Sequence, residues 1–278
     1  MEKYLIALDM DGTLLNSHGK VSKKTVEVLN SLIGKGHYIV PASGRAFTIL
    51  PKEILQLQGI QFAVLENGAV VWDWKKQCAI KQERLPYGVV KAILEDIERQ
   101  AVSGYCAEII VNGNVYAEKE ILKEQERSGI VGNFAEYMRQ NHIFIENLSS
   151  RMELLNAAEK LNVYFEDIHL GEAVREKWKK EPQLNVTTSV SGNAEFTAAG
   201  ISKGYGIITL QQHLGIPKQH CIAIGDDEND LEMFEQVQVA VAMGNAKEKV
   251  KRAADAVTLN CDEDGAAVFL EQYFQLEG

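Results

Sequence analysis

Two stretches of this sequence carry residues that could do chemistry. In Leu5-Ile6-Ala7-Leu8-Asp9-Met10-Asp11-Gly12-Thr13 an apolar run of strand length ends in two carboxylates and a glycine. In His220-Cys221-Ile222-Ala223-Ile224-Gly225-Asp226-Asp227-Glu228-Asn229-Asp230 a second apolar run ends the same way. Short runs without polar alternation read as strands buried on both faces, as in a parallel sheet. Ligands of open α/β sheets bind beyond the carboxyl ends of the strands, which is where both acidic groups fall. Gly12 allows the backbone to turn sharply and approach a ligand closely.

Each stretch alone has a plainer explanation. Asp-Gly is common turn chemistry, and acidic residues favour a helix N-terminus. The second explanation covers one or two of the carboxylates at 226–230, but not the buried strand that leads into them. Taken together, the strand ends bring Asp9, Asp11, Asp226, Asp227 and Asp230 to one sheet edge. So many like charges cannot all stay ionised without a counter-ion. A hard divalent cation with oxygen ligands resolves the conflict, and Mg2+ is the usual choice where a phosphate shares the site. Ser43 and Lys203, at a further strand end and a helix start, would then serve the phosphate oxygens.

The elements that must position these residues follow from periodicity. Ser22 caps a predicted helix to about Gly36, with Val26, Leu29, Leu32 and Ile33 on one face. Tyr38-Ile39-Val40 is a strand ending at Pro41-Ala42-Ser43-Gly44-Arg45, and a helix is expected from there to about Leu57. Phe62–Leu65 is a third strand, and Asn67-Gly68 signals a hairpin returning through Ala69–Trp72. The order strand, helix, strand, helix, strand implies a parallel sheet with right-handed crossovers. The pattern then changes. A helix over 87–100, a hairpin around Asn112-Gly113-Asn114, a polar stretch at 120–141, strands at 143–145 and 162–169, a helix at 171–180 and a hairpin across Ser191-Gly192-Asn193 read as α+β. The α/β rhythm resumes at Lys203 and runs through Val237–Ala242 and Met243-Gly244-Asn245 to a final helix. The expected fold is therefore α/β, a Rossmann-like parallel-sheet core over 1–83 and 191–278 with an inserted α+β domain over 84–190.

Composition removes other classes. A formal charge of −10 with no basic cluster argues against nucleic acid and anionic membranes as partners. No apolar run approaches the ~20 residues of a membrane span, and no signal-peptide pattern opens the chain. Cys78, Cys106, Cys221 and Cys261 are widely spaced without a C-x-x-C. They read as buried free thiols in a reducing compartment, which places the protein in the cytoplasm. Asn147-Leu-Ser and Asn185-Val-Thr are then chance matches to the glycosylation pattern. The glycines around Lys203 do not form a nucleotide P-loop, and the six histidines show no i,i+4 pair. Tyr105, Tyr116, Phe134, Tyr137, Tyr164 and Phe165 are expected to supply the inserted domain's own core.

Asp9-Met10-Asp11-Gly12-Thr13, Ser43-Gly44-Arg45, Lys203-Gly204 and Gly225-Asp226-x-x-Asn229-Asp230 resemble, in order, the four motifs of the haloacid dehalogenase superfamily, in its Cof-type sugar-phosphatase branch. Ser43 stands where the family usually has threonine, and keeps the hydroxyl. About thirty residues separate Asp11 from Ser43, whereas more than 150 separate Arg45 from Lys203. That spacing is similar to the class with a large α/β cap between the second and third motifs, which implies that 84–190 is a cap domain that selects substrate.

The resemblance implies roles for individual residues. Asp9 is the nucleophile, and Asp11 protonates the leaving oxygen and then activates water. Ser43, Gly44, Lys203 and Asn229 bind phosphate. Mg2+ sits on the carboxylates of Asp9 and Asp226 and the Asp11 backbone carbonyl. Asp230 orients Lys203 or the metal's waters, with Arg45 and Asn67 nearby. For Asp227 a solvated cap position is an equal alternative, as are a surface role for Arg45 and a turn role for Asn67. The implied activity is Mg2+-dependent hydrolysis of small phosphomonoesters such as sugar phosphates, through an aspartyl-phosphate. The other reading is a phosphate-metabolite-binding or regulatory protein that keeps the fold without turnover; intact Asp9 and Asp11 weigh against it.

Overall fold

The computed structural model describes residues 2–55, 57, 59–100, 104–118, 138–189 and 191–276. The chain divides into two compact units, one of residues 1–45, 50–82 and 201–278, the other of 46–49 and 83–200. The expected polar stretch at 120–141, together with Phe134 and Tyr137, lies largely outside the described residues.

The first unit is built on strands β1 (Leu5–Leu8), β2 (Tyr38–Pro41), β12 (Cys221–Gly225), β13 (Val239–Ala242) and β14 (Ala256–Val257). They form one sheet in the order β14-β13-β12-β1-β2, and every pairing in it is parallel. β1 and β12 are fully buried, which explains their unbroken apolar sequences. From β1 the chain passes to β2 on one side, while β12 lies on the other. The sheet's switch point therefore falls at the ends of β1 and β12, where an open α/β sheet leaves a crevice. The helix Lys23–Gly34 begins as expected, with the Ser22 hydroxyl accepting from Thr25 N.

Two expectations for this unit need correction. Among the described residues the helix expected after Arg45 is reduced to two one-turn pieces, Phe47–Ile49, which belongs to the other unit, and Lys52–Leu55. Pro51 lies between them, and a proline inside a helix breaks its hydrogen-bond ladder. The third strand, β3 (Phe62–Leu65), lies beside β2 in the expected parallel direction through an Ala42–Val64 bridge, with Ser43 N donating to Val64 O at 2.8 Å, but it does not join the five-stranded sheet as a full ladder. Its main partner is antiparallel β4 (Val70–Asp73), which pairs in turn with β5 (Cys78–Gln82). Cys78, on that outer strand, is exposed and Cys261 is half-buried, so only Cys106 and Cys221 are the buried thiols expected; all four are free.

Among the described residues the second unit holds six strands: β6 (Tyr105–Val111), β7 (Asn114–Glu118), β8 (His142–Ile145), β9 (Lys160–Phe165), β10 (Leu184–Thr187) and β11 (Asn193–Ala198). Their order is β10-β11-β9-β6-β7-β8. The unit thus runs to Gly200, ten residues past the expected limit of 190, because β11 pairs with both β10 and β9. One face carries Ala107, Ile109, Leu161, Val163, Ala194 and Phe196, packed with residues of the helices Tyr87–Gln100, Met152–Ala157 and Ile168–Trp178. Phe165 belongs to that core, with Tyr105 and Tyr116 against it, whereas Tyr164 packs with Cys106 in a separate cluster. Alternate residues turn Glu108, Lys160, Asn162 and Glu195 to the other face, as the two-residue period of a strand requires.

Candidate active site

The site is built on the carboxyl edge of the first unit's sheet. Asp9 follows β1, and its N–H still donates to Ile224 O across the ladder, 2.9 Å away, so its backbone is fixed by strand pairing. Its carboxylate is buried and meets Lys203 Nζ at 2.5 Å. Lys203 opens the helix Lys203–Leu214, whose N-cap Ser202 accepts from Tyr205 N. The ammonium also contacts Asp230 Oδ1 at 2.6 Å and Asn229 Oδ1 at 3.4 Å. Burial by itself would lower the Lys203 pKa; Asp230 and Asp9 outweigh it and hold the ammonium above its ordinary value.

Asp230 accepts three hydrogen bonds in this arrangement. Its Oδ1 binds Lys203, and its Oδ2 accepts from the N–H groups of Asp226 and Asp227 at 2.9 and 3.1 Å. It thereby fixes the loop after β12 as well as the ammonium. Asp226 is held at both oxygens, Oδ1 by Thr13 Oγ1 at 3.2 Å and Oδ2 by Asn245 Nδ2 at 3.3 Å. Gly12 makes this close approach possible. Its φ is +80°, and a Cβ there would lie 2.4 Å from Asp226 Oδ2.

Asp9, Asp226 and Asp230 each offer a carboxylate oxygen, and the three lie within 4.8 Å of one another. The electrostatic conflict expected from the sequence is present. Burial, then repulsion from Asp230 and Asp226, raises Asp9 well above the carboxylate range despite Lys203. Burial and then Asp230 push Asp226 up to about 6. Hard oxygen donors strained by mutual repulsion fit a small divalent cation.

The remaining expected residues separate into three groups. Ser43, buried after β2, accepts from Arg45 N at 3.1 Å, with Gly44 between them. Asn67 is buried with φ +53°; its N–H donates to Ser43 O, and its side chain accepts from Asn229 Nδ2 at 3.4 Å. Asn67 is thus both a turn residue and a neighbour of the Lys203 cluster. The Asp11 carboxylate is set apart from that cluster: Arg45 holds it by two hydrogen bonds, Nε at 2.9 Å and Nη2 at 2.6 Å. Asp227 takes the cap role, accepting from Glu228 N and pairing with Lys247 Nζ at 2.6 Å. Sequence reasoning gave no role to Asn245. The signal was available, since Met243-Gly244-Asn245 follows β13 at the same carboxyl edge.

A parallel sheet with an acidic carboxyl edge and a buried lysine across it defines a haloacid dehalogenase-like site. The sequence pattern of the haloacid dehalogenase-like hydrolases matches residues 6–270, and the chain belongs to that family. It is 29% identical over 282 residues to the 5-amino-6-(5-phospho-D-ribitylamino)uracil phosphatase YitU of Bacillus subtilis (strain 168), covering 98% of each chain. It is 30% identical to Phosphatase YwpJ of the same organism, covering 95% of this chain and 97% of that one. A crystal structure of a haloacid dehalogenase-like hydrolase from Bacteroides thetaiotaomicron superposes with a TM-score of 0.80 at 28% identity, over 98% of this chain and 100% of that one.

Proposed function

We propose that this protein hydrolyses small phosphomonoesters with Mg2+, through an aspartyl-phosphate on Asp9. The observation that carries this reading is the buried Asp9 carboxylate at the sheet edge, shared with Lys203 and flanked by Asp226. Asp9 and Asp226, with the Asp11 backbone carbonyl, would hold the cation. Asp230, which accepts from Lys203 and from two backbone amides, is assigned a positioning role. When bound, the cation supplies positive charge that lets a carboxylate approach a phosphate dianion.

The chain's own residues do the rest. A carboxylate oxygen of Asp9 attacks phosphorus, and the bond from phosphorus to the ester oxygen breaks. Asp11 gives its proton to that departing oxygen, then takes one from the water that attacks the aspartyl-phosphate, releasing inorganic phosphate. For both steps the Asp11 carboxyl must leave Arg45, which frees the guanidinium for phosphate oxygens. Ser43, Gly44, Asn229 and Lys203 bind the transferring group; Lys203 reaches it from its seat between Asp9 and Asp230.

The second unit is assigned the selection of the leaving group. Its polar sheet face supports this assignment. Lys160 and Glu195 pair at 2.8 Å, and Glu108 accepts from Asn162 at 3.3 Å, all four buried on the face opposite the apolar core. The compound named for YitU is a phosphorylated ribityl derivative, a small phosphomonoester of the class proposed. Among the described residues no helix is long and apolar enough to cross a membrane, and four free cysteines fit a cytoplasmic setting. The test is phosphate release from a panel of phosphorylated metabolites with Mg2+ or chelator, repeated with Asp9→Asn. Undiminished turnover in chelator or in Asp9→Asn refutes the reading.

A further inference from the structure

The Asp226 carboxylate needs a defined orientation to serve a cation, yet rotation about its terminal torsion is intrinsically broad. Something must hold it. Thr13 Oγ1 fixes Oδ1 and Asn245 Nδ2 fixes Oδ2, while Gly12, lacking a Cβ, leaves Oδ2 the room to sit against its loop. Asn245 is itself oriented without ambiguity. Its Oδ1 accepts from Cys261 N at 2.9 Å, and its Nδ2 donates to Gly12 O at 2.9 Å. Turning the amide over would set two acceptors and two donors face to face, so the assignment follows from the backbone partners. One N–H is spent on Gly12 O. The other is thereby aimed at Asp226.

Accepting the cation reading given above, on which this inference rests, we propose that Asn245 is a positioning residue. It locks the Asp226 carboxylate in its cation-holding orientation and ties that orientation to the Gly12 loop, beside the nucleophile. Asn245 follows β13, Asp226 follows β12 and Gly12 follows β1, three neighbouring strands of one sheet. The amide therefore bridges the two outer loops behind the cation's expected seat. Groups that hold a metal ligand from behind typically contribute about 10–100-fold to metal affinity. Asn245 itself is exposed, so its removal perturbs the core little. The plainer role, a clip between the Gly12 loop and the Cys261 turn, uses the same side chain, and the experiment must separate the two.

The probe is Mg2+ alone, titrated into full-length protein while thermal unfolding is followed without substrate. Asn245→Ala is expected to raise the half-saturating Mg2+ concentration about tenfold or more. A clip alone predicts that Asn245→Ala lowers the melting temperature and titrates as wild type; positioning predicts a displaced half-saturation. If Asn245→Ala does not fold, Asn245→Ser, which also lacks the amide and adds no charge, is titrated in its place with the same two outcomes. An unchanged half-saturation in Asn245→Ala, while wild type responds to Mg2+, overturns the positioning role and leaves the cation reading intact. A wild type that does not respond overturns the cation reading, and the inference with it.

Discussion

Acidification should weaken cation binding by an amount set by Asp226. In the cation-free protein, burial and then the Asp230 charge push this carboxyl up to about 6, and Asp9 is raised in the same direction by burial. A folded-state pKa above the ordinary 3.8 means that the native protein binds more protons than the unfolded chain between 3.8 and about 6. Cation-free stability therefore falls as pH rises through that window, by about 3 kcal/mol from Asp226. Cation binding requires the ionised form, so it expels whatever proton the carboxyl carries. At roughly pH 7.5 almost none remains, whereas at roughly pH 5 about ten molecules in eleven are protonated. The half-saturating Mg2+ concentration should thus rise about tenfold over that interval from Asp226 alone, and further with Asp9. Thermal unfolding with graded Mg2+ at the two pH values measures the change. Calorimetry in buffers of different ionisation enthalpy counts the protons released. Equal half-saturation at both pH values, or binding at the lower one without proton release, would refute the placement of Asp226 in the cation site.

Asp11→Asn should lower kcat/KM by about 10²–10⁴-fold for a sugar phosphate, whose alkoxide needs a proton, and by much less for p-nitrophenyl phosphate. Equal losses with fold and Mg2+ response intact would mean that Asp11 is not the general acid. Lys203→Met removes the ammonium shared by buried Asp9 and Asp230; deleting one partner of such a pair costs about 3–5 kcal/mol. A loss under about 1 kcal/mol in chelator-treated melts would contradict that account. Gly68→Ala places a Cβ 1.9 Å from Ser202 O at a φ of +95°, which should cost about 2–4 kcal/mol and displace the start of the Lys203 helix; a melting temperature unchanged from wild type would show that the loop yields. Exchanging the second unit for a relative's should change which ester is preferred while Mg2+ dependence persists, and an unaltered ranking in a folded chimera would remove its assigned role.

The chemistry-bearing residues were legible because each sits next to a local signal. Buried parallel strands leave unbroken apolar runs, so β1 and β12 announce their own ends, and Asp9 and Asp226 lie just past them. Ser22 and the Asn67-Gly68 turn were readable for the same reason: capping and turn chemistry act within a few residues. The extent of the second unit was not, because β11 is assigned by its pairing with β9, nearly thirty residues earlier in the chain. Periodicity marks a strand but does not name its partner. β3 shows the same limit, since its apolar sequence suits a parallel sheet while its hydrogen bonds go mostly to antiparallel β4.

Within the site, the sequence determined which groups are present, and only the tertiary structure decided which of them work together. Asp230 and Asp227 are three residues apart and chemically alike. One is buried against Lys203, and the other caps a turn and pairs with Lys247. Asp9 and Asp11 are two apart, and they diverge toward Lys203 and Arg45. Asn245 has no local signature beyond following a strand, because its three partners lie on three separate segments of the chain. Carboxylate chemistry is carried by residue type. Burial, charge pairing and orientation depend on contacts between distant segments, and those exist only once the sheet has brought β1, β12 and β13 side by side.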